Sequence, residues 1–287
     1  MLTAQINAFN PKKTVRAGGK ILDLSLPRVM GVINVTPDSF YSGSRLEDSA
    51  AIAGRAGEML EQGADIIDIG GYSSRPGAEV IGIDEELSRV LPAVEAILNA
   101  FPKCFVSIDT FRAEVAARAL AAGASMVNDI SGGQLDEHMF ETVAEAGAAY
   151  VLMHMRGNPG NMQQLCRYDQ PIQADLSAYF HPRIARLHEL GVSDILLDPG
   201  FGFAKTIEQN YDLLRNIEYF KFLGLPVLVG LSRKSMIYKV LGISPNEGLN
   251  GTTALHMAAL LKGTSILRTH DVQAAVEVIR LYRKIVP

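Results

Sequence analysis

Short apolar runs alternate with longer amphipathic, alanine-rich segments through most of this chain, and that alternation constrains the fold more than any other feature. Several of the runs are apolar almost without interruption, which is typical of parallel strands covered on both faces. The predicted strands are residues 29–35, 65–71, 105–110, 126–131, 149–155, 195–198, 227–232 and 265–270. The predicted helices are residues 48–62, 84–99, 112–122, 137–146, 174–190, 208–220, 251–262 and 272–284.

Eight strand–helix units over about 250 residues have the size and rhythm of a (β/α)8 TIM barrel, an α/β fold. A glycine, which readily adopts the left-handed conformation that ends a helix, follows several predicted helices. These glycines are Gly63, Gly123, Gly147, Gly191 and Gly263. A doubly wound open sheet is the alternative, but the chain has no complete nucleotide-binding fingerprint, which favours the closed barrel.

Residues 12–26 precede the first unit and contain two short runs on either side of Gly18 and Gly19. Glycine tolerates the positive φ of tight turns, so we predict an N-terminal β-hairpin that plugs one end of the barrel. No linker, low-complexity tract or run of charge divides the chain. We therefore expect residues 1–287 to form a single barrel domain that includes this hairpin.

Composition argues against several classes of function. The net charge of −4 is small, and no basic block could follow a nucleic-acid backbone. No apolar run approaches the roughly 20 residues that span a bilayer, and residues 1–10 lack the pattern of a signal peptide. Cys104 and Cys166 share no CxxC spacing, which favours free thiols in a reducing compartment. We expect a cytoplasmic protein without nucleic-acid or membrane partners.

Polar side chains stand where the predicted strands end. The segment 195–203, Ile-Leu-Leu-Asp-Pro-Gly-Phe-Gly-Phe, shows this well, because a buried strand stops at Asp198 and a glycine-rich loop follows. Asp109 and Asn128 end two other strands, and TIM barrels carry their chemistry at this face. Two acids and an amide suit a small heterocycle with a guanidine-like donor edge, against which Phe203 could pack. Alternatively, the three groups only hydrogen-bond neighbouring loops.

A second, basic group also follows predicted strands and consists of Arg75, Arg233, Lys234, Arg268 and His270. Such donors suit anionic oxygens, phosphate above all, and arginine can bind them with two parallel hydrogen bonds. The chain has neither a GxxxxGK[ST] loop nor a complete GxGxxG, so it does not bind the anion through those motifs.

The signal for a metal is weaker. Asn34 and Asp38 bracket Thr36-Pro37 at a strand end, where hard oxygen ligands and a substrate phosphate could hold Mg²⁺. The same residues also make an ordinary turn. HExxH is absent and the six histidines show no paired ligand spacing, which argues against zinc. We interpret His154 and His256, which lie in apolar contexts, as structural.

Several motifs, taken in order, resemble those of the dihydropteroate synthase family. They are GVINVTPDSF at 31–40, DIGG at 68–71, SRPGA at 74–78, SIDT at 107–110, NDI at 128–130, DPGFGF at 198–203, GLSRKS at 230–235 and RTHD at 268–271. Any single motif is modest, but the ordered set is highly specific. The resemblance runs from about Arg28 to the C-terminus.

This resemblance implies a transferase of folate biosynthesis on a (β/α)8 barrel, usually a homodimer and a target of sulfonamides. Such enzymes join 6-hydroxymethyl-7,8-dihydropterin diphosphate to 4-aminobenzoate with Mg²⁺, giving 7,8-dihydropteroate and pyrophosphate. We expect an SN1-like substitution, in which diphosphate leaves before the weakly basic arylamine attacks. A pterin-binding methyltransferase on the same barrel and a catalytically silent pterin-binding paralogue are the alternatives. The methyltransferase would have no use for Lys234, Arg268 and His270.

The resemblance also implies roles for individual residues. The pterin would be held by Asp109, Asn128, Asp198 and Lys234. The diphosphate would meet Asn34, which is also the expected Mg²⁺ ligand, Arg268 and His270. The 4-aminobenzoate pocket would be shaped by Phe40, Arg75, Pro76, Phe203 and Ser235, with Ser74 as a further substrate-binding residue. The expected catalytic residues are Asp109, Lys234, Arg268 and His270.

The chain departs from the family pattern at three places, one of which is Asn158-Pro-Gly-Asn161 in place of a more usual threonine-containing turn. In the first loop Ser42 stands where an aspartate is usual, and in the second loop Tyr72 stands where a glutamate is usual. The change at Ser42 removes a loop carboxylate that could assist the metal or the cation and leaves Asp38 as the nearby acid, and the change at Tyr72 removes another loop acid. These changes therefore put the affinity for arylamines in doubt more than the affinity for pterin.

Overall fold

The computed structural model describes residues 11–35, 45–73 and 80–286 of the chain. Its strands are β1 (Thr14–Ala17), β2 (Lys20–Asp23), β3 (Arg28–Asn34), β4 (Ile66–Gly70), β5 (Phe105–Asp109), β6 (Met126–Asp129), β7 (Ala149–Met153), β8 (Ile195–Asp198), β9 (Leu228–Gly230) and β10 (Ile266–Thr269). The last eight are parallel and lie in the order β8-β7-β6-β5-β4-β3-β10-β9. A parallel bridge between Leu197 and Val227 joins β8 to the residue preceding β9, which closes the row into a barrel.

Helices follow the strands on the outside of the barrel. They are α1 (Arg45–Glu61), α2 (Ile83–Ala100), α3 (Ala113–Ala121), α4 (Met139–Ala146), α5 (Ile172–Glu189), α6 (Ile207–Arg215), α7 (Ser235–Leu241), α8 (Leu249–Leu261) and α9 (Val272–Ile285). Short 3₁₀ helices cover Met162–Gln164, Ile217–Leu223 and Pro245–Glu247. The predicted alternation of strand and helix, and with it the α/β class, is confirmed.

The largest departures from the predicted helices occur at two places. The predicted helix 208–220 ends as α-helix at Arg215, because Asn216 leaves the helical region with φ −117° and ψ 20°, and a 3₁₀ helix follows. The seven-residue helix α7 was not predicted, since its two turns follow a strand end that we interpreted only for its basic residues. Helices this short carry too little periodicity to be recognised in a sequence.

Side chains on each barrel strand alternate between the barrel interior and the helices outside. The interior at the amino ends of the strands is filled by Met30, Ile66, Met126, Ala149, Val151, Leu196, Leu228 and Ile266. Four hairpin side chains, Val15, Ala17, Leu22 and Leu24, are buried in the same cluster. The hairpin β1–β2 therefore closes the amino end of the barrel, and the predicted N-terminal plug is confirmed.

Farther along the same inward rows, polar residues replace apolar ones. Ile66 is followed two positions later by Asp68, Met126 by Asn128, Leu196 by Asp198 and Ile266 by Arg268. The strand register places Asp109 beside both Gly70 and Asn128. Because all eight strands run in one direction, these polar side chains meet at the carboxyl end of the barrel, opposite the hairpin.

The predicted free thiols are confirmed, since neither Cys104 nor Cys166 forms a disulfide bond. Burial raises the pKa of the Cys104 thiol to about 11, so this side chain behaves as a small apolar group. Among the described residues, no helix has both the length and the apolar character of a membrane span.

Candidate active site

A fully buried carboxylate, Asp68, lies at the centre of the polar cluster. Its Oδ2 accepts hydrogen bonds from Arg268 Nε at 2.7 Å and from Asn128 Nδ2 at 3.0 Å. Asp68 Oδ1 and Asn128 Oδ1 are also buried, yet neither has a hydrogen-bond partner in the part of the chain that the structure describes. Two buried acceptors without donors are costly, so they indicate a place where a ligand supplies N–H groups.

Arg268 joins this centre to a second acid, because its Nη2 donates to Asp109 Oδ2 at 2.5 Å. Burial raises the pKa of Asp109 to about 7, although the guanidinium of Arg268 opposes the shift. Burial alone would lower the pKa of Arg268, but the carboxylates of Asp68 and Asp109 raise it above its ordinary value. The guanidinium thus remains charged between two acids at the mouth of the barrel.

The loop after β8 brings a third acid to the same mouth. Asp198 Oδ1 accepts a hydrogen bond from the backbone N–H of Gly200 at 2.7 Å, which fixes the carboxylate. Gly200 has φ +70°, and a Cβ built on it would overlap the carbonyl oxygen of His154, so only glycine fits. Burial raises the pKa of Asp198, while the Lys234 ammonium acts in the opposite direction.

Lys234 approaches this loop from the turn before α7. Its Nζ donates to the carbonyl oxygen of Phe201 and lies 4.9 Å from the centre of the Phe203 ring. Burial lowers the pKa of Lys234 to about 8, although Asp198 favours the charged form. Acid, ammonium and aromatic face are thus side by side, as a flat and polar ligand requires.

Asn34 ends β3, which is two strands away from β9 around the barrel. A Cβ built on Gly70 would lie 3.6 Å from Asn34 Oδ1 and 3.7 Å from Asp109 Oδ2, so both oxygens border Gly70. Within the described ranges, no three His, Cys, Asp or Glu side chains cluster as a metal site. One amide oxygen beside a carboxylate still fits Mg²⁺, which often takes only one or two protein ligands and completes its shell with substrate phosphates and water.

The structure brings most of the predicted site residues together. Asp109, Asn128, Asp198, Lys234 and Arg268 meet at the carboxyl mouth, with Phe203 against Lys234. Ser235 begins α7 directly after Lys234. His270 is exposed after β10, and its backbone N–H donates to Ser232 Oγ at 3.4 Å. Phe40, Ser74, Arg75 and Pro76, together with Asp38 and Ser42, lie outside the described residues.

Arg233 is the described member of the basic group that points elsewhere. It forms a bidentate pair with Asp271, with Nε–Oδ2 at 2.8 Å and Nη2–Oδ1 at 2.9 Å. Its φ of +52° turns the backbone so that the neighbouring Lys234 faces the site. Arg233 therefore shapes the loop before α7, and we assign it no contact with an anion.

Our sequence analysis gave no role to two residues that the structure draws into the site. Asp68 interrupts an otherwise apolar strand, and an acid at an inward position of a buried strand was the available signal. Lys205 follows the DPGFGF motif by two residues and is buried, with its Nζ 3.0 Å from His154 Nδ1. Burial lowers the pKa of His154 well below its usual range, so a neutral imidazole is expected there. The burial of the His154 side chain agrees with our interpretation of this residue as structural.

Comparison with known proteins gives consistent matches over nearly the whole chain. The model of the family described as pterin binding enzyme matches residues 30–270. The chain is 43% identical over 267 residues to the dihydropteroate synthase of Escherichia coli strain K12, covering 92% of this chain and 94% of that protein.

Solved structures give the same result. The Xanthomonas albilineans dihydropteroate synthase with 4-aminobenzoic acid superposes with a TM-score of 0.88 at 37% identity, covering 96% of this chain and 99% of that one. The Yersinia pestis dihydropteroate synthase with a sulfonamide drug superposes with a TM-score of 0.87 at 40% identity, covering 95% and 98% of the two chains. Likeness at this identity and coverage extends over nearly the whole chain.

Proposed function

Because this chain belongs to the pterin binding enzyme family, and within it to the dihydropteroate synthases of folate synthesis, we propose that its carboxyl-end cluster joins 6-hydroxymethyl-7,8-dihydropterin diphosphate to 4-aminobenzoate by SN1-like substitution. The observation that carries this mechanism is the convergence of three acids, an amide, a lysine and an arginine at one mouth. The acceptor oxygens of Asp68, Asn128 and Asp198, with the Phe203 ring, form what we call the acceptor side. Arg268, which pairs with Asp68 and Asp109, and His270 form the cationic side.

The acceptor side suits the pterin ring. Asn128 Oδ1 and Asp68 Oδ1 are buried without donors among the described residues, and a dihydropterin carries several ring and amino N–H groups. Asp198 offers a carboxylate whose orientation Gly200 already fixes. A carboxylate can accept two parallel N–H bonds from a guanidine-like edge, which favours this ring over an isostere without those donors.

The cationic side suits the diphosphate. Arg268 is held at the mouth by two carboxylates, and His270 follows it on the same strand end. Mg²⁺, when bound together with the substrate, would be held by Asn34 and would neutralise charge on the phosphate oxygens. Positive groups placed where the leaving group gains charge lower the barrier to its departure.

The chemical step then needs little from a general base. The bond between the pterin methylene carbon and the diphosphate oxygen breaks, and both electrons leave with pyrophosphate. The positive charge of the resulting cation is delocalised into the electron-rich pterin ring. The nearby acids Asp109 and Asp198 stabilise that charge electrostatically. The lone pair of the arylamine nitrogen forms the new C–N bond, and the nitrogen then releases a proton to water.

Two of the residues proposed for the 4-aminobenzoate pocket, Phe203 and Ser235, lie in the described part of the chain. Phe203 is half-buried beside Lys234, and Ser235 begins the next helix, so both border the loop that carries Asp198. Phe40, Ser74, Arg75 and Pro76 complete the expected pocket but lie outside the described residues.

Pyrophosphate release tests the proposal directly. The purified chain is given both substrates with Mg²⁺, and controls omit each component in turn. We expect release only in the complete mixture, with dihydropteroate formed in equal amount. Binding of the pterin diphosphate without any release would overturn the synthase assignment and favour a silent pterin-binding protein.

We also propose that the chain is a cytoplasmic homodimer that sulfonamides inhibit in competition with 4-aminobenzoate. Large apolar side chains are exposed on the last three helices, which supports a contact between copies there; they are Val240, Leu241, Leu249, Leu261, Leu281 and Ile285. Free thiols fit a reducing compartment. Sedimentation equilibrium tests the homodimer, which a monomer would reject. Inhibition by a sulfonamide at varied 4-aminobenzoate tests the competition, which non-competitive inhibition would reject.

A further inference from the structure

Lys205 is a buried lysine behind the site, and the mechanism above does not use it. Its side chain is only 4% exposed, between the loop after β8 and the start of α6. Its Nζ lies 2.9 Å from the carbonyl oxygen of Gly200, 2.9 Å from that of Phe203 and 3.0 Å from His154 Nδ1. An ammonium group has three N–H donors, and each one has an acceptor when neutral His154 carries its proton on Nε2. A neutral amine can keep the same three contacts, because its two N–H groups donate to the carbonyls and its lone pair accepts from His154 Nδ1–H in the other tautomer.

These acceptors lie on two elements that must hold a fixed relation. His154 follows β7, whereas Gly200 and Phe203 bracket the turn that follows Asp198. The same turn supplies the N–H that orients the Asp198 carboxylate and the Phe201 carbonyl that receives Lys234. Lys205 thus ties the turn that carries the pterin ligands to the neighbouring strand end.

A lysine in this position is expensive for the fold. Burial lowers the pKa of Lys205 to about 7, which means that its ammonium form is strongly disfavoured there. A methionine of similar length would fill the volume without that cost. The charge also acts on Asp198, where it favours the ionised carboxylate. The cost of burying a lysine here therefore indicates that its hydrogen bonds to the turn serve the function of the site.

We propose that Lys205 is a positioning residue for the pterin: its three hydrogen bonds fix the 198–204 turn, and through that turn they orient Asp198 and Phe203 toward the ring. This inference rests on the proposed function, since it takes the pterin to bind at Asp198. Lys205 itself has no contact with the ring in this arrangement. Its removal should act on pterin affinity far more than on the chemical step.

The principal test is Lys205→Met, which keeps the length of the side chain and removes all three hydrogen bonds. Calorimetry with 6-hydroxymethyl-7,8-dihydropterin, which lacks the diphosphate, should show a dissociation constant about 10- to 100-fold higher than that of the wild type. In turnover assays the KM for the pterin diphosphate should rise by a similar factor. The kcat at saturating pterin should fall by no more than about threefold.

Lys20→Met is a matched control at the opposite end of the barrel. Lys20 Nζ also donates to two backbone carbonyls, those of Pro102 at 3.2 Å and Cys104 at 3.0 Å. This variant loses lysine–carbonyl hydrogen bonds just as Lys205→Met does, but at the hairpin. Its pterin dissociation constant should equal that of the wild type.

A pair of variants at His154 keeps the inference testable if Lys205→Met does not fold. His154→Leu removes the acceptor for Lys205, whereas the amide oxygen of His154→Gln can accept the same hydrogen bond. Pterin affinity should fall in the leucine variant and be largely retained in the glutamine variant. Equal affinity of wild type and His154→Leu would overturn the inference.

The inference also fails if folded Lys205→Met binds the pterin as tightly as the wild type does. These binding measurements do not depend on turnover. A wild-type chain that binds pterin and releases no pyrophosphate would reject the proposed function alone, whereas an active wild type with a fully binding Lys205→Met would reject the role of Lys205 alone.

Discussion

Arg268 Nη2 lies 2.5 Å from Asp109 Oδ2, so the arginine expected to meet the diphosphate is already paired with an acid of the pterin group. Its Nε is engaged as well, by Asp68 at 2.7 Å. The side chains of Asp109 and Arg268 are 21% and 22% exposed, whereas Asp68 is fully buried. Arg268 therefore has two tasks, because it compensates a buried charge and presents a cation at the mouth.

Replacing Arg268 should separate these tasks. Arg268→Ala leaves the Asp68 carboxylate uncompensated and should lower the free energy of unfolding by about 3–5 kcal/mol. Arg268→Lys keeps the charge but not the fork that reaches two acids, so we expect a smaller loss of stability with a marked loss of kcat. Urea denaturation and pyrophosphate release measure the two effects. Binding of a pterin without diphosphate should suffer less than turnover.

Arg28→Lys is the matched control for this prediction. Arg28 also contacts two aspartates, with its Nη1 3.1 Å from Asp65 and its Nη2 3.7 Å from Asp23, but it does so at the amino end of β3. We expect turnover to be unchanged and stability to fall by about 1 kcal/mol or less. If Arg268→Lys lost pterin binding and turnover equally, Arg268 would belong to the pterin pocket instead.

Asp198→Asn should weaken pterin binding severely. The amide replaces one acceptor with an N–H group that faces the donor edge of the ring, and the expected loss is about 100-fold in the dissociation constant. Calorimetry with the diphosphate-free pterin measures it. Asp194→Asn is the control, since Asp194 precedes the same strand but pairs with Lys12 at 2.6 Å, far from the mouth. Near-normal affinity of Asp198→Asn would contradict the assigned pocket.

Gly200→Ala should also abolish tight pterin binding, but for a reason of backbone geometry. Its φ of +70° disfavours any side chain, and the added Cβ would overlap the His154 carbonyl oxygen, so the turn that orients Asp198 has to move. Gly19→Ala separates strain from overlap, because Gly19 has φ +73° with nothing within 4 Å of the added Cβ. We expect that control to lose about 1 kcal/mol of stability and no pterin affinity. Equal affinities of both variants would refute this account.

The barrel could be predicted because each of its strand–helix units is visible in a short local stretch of sequence. Each strand of the barrel is a short apolar run with a helix after it, and burial on both faces leaves little room for another pattern. Asp109, Asn128 and Asp198 could be assigned to one face for the same reason, since parallel strands end together. Closure between β8 and β9 could not be derived in this way, because it depends on a single bridge between Leu197 and Val227.

The parts of the site that escaped prediction depend on partners distant in sequence. Nothing near Asp68 indicates that Arg268, 200 residues later, will donate to it. Arg233 and Lys234 are neighbours with the same charge, yet a φ of +52° at Arg233 sends one side chain to Asp271 and the other to the site. Lys205 received no interpretation from the sequence, because its burial and its three polar contacts arise only when the loop after β8 packs against His154.

Asn34→Ala should weaken the coupling between Mg²⁺ and the diphosphate. The amide oxygen is a hard ligand at the mouth, and without it the ion keeps only substrate and water ligands nearby. Titration of the pterin diphosphate should show that the affinity gained on adding Mg²⁺ falls by about 10-fold, a size typical for loss of one oxygen contact to a charge. Binding of the diphosphate-free pterin should be unchanged with or without Mg²⁺. An unaltered Mg²⁺ effect would exclude Asn34 as a ligand.

The stability of the wild type relative to Lys205→Met should depend on pH in a defined direction. Burial lowers the pKa of Lys205 from 10.5 to about 7 in the folded chain. Between pH 7 and 10 the unfolded chain therefore binds a proton that the folded chain does not, and the free energy of unfolding rises with pH by at most about 1.4 kcal/mol per unit from this group. The methionine variant lacks this contribution. Its free energy of unfolding relative to that of the wild type is therefore highest below pH 7 and decreases as the pH increases. The charges that act on Lys205 are those of Asp198, Lys234, Cys166 and Arg156, and both proteins retain them. Urea denaturation of both proteins at pH 7, 8 and 9 measures the difference, and parallel pH profiles would mean that Lys205 is not desolvated in solution.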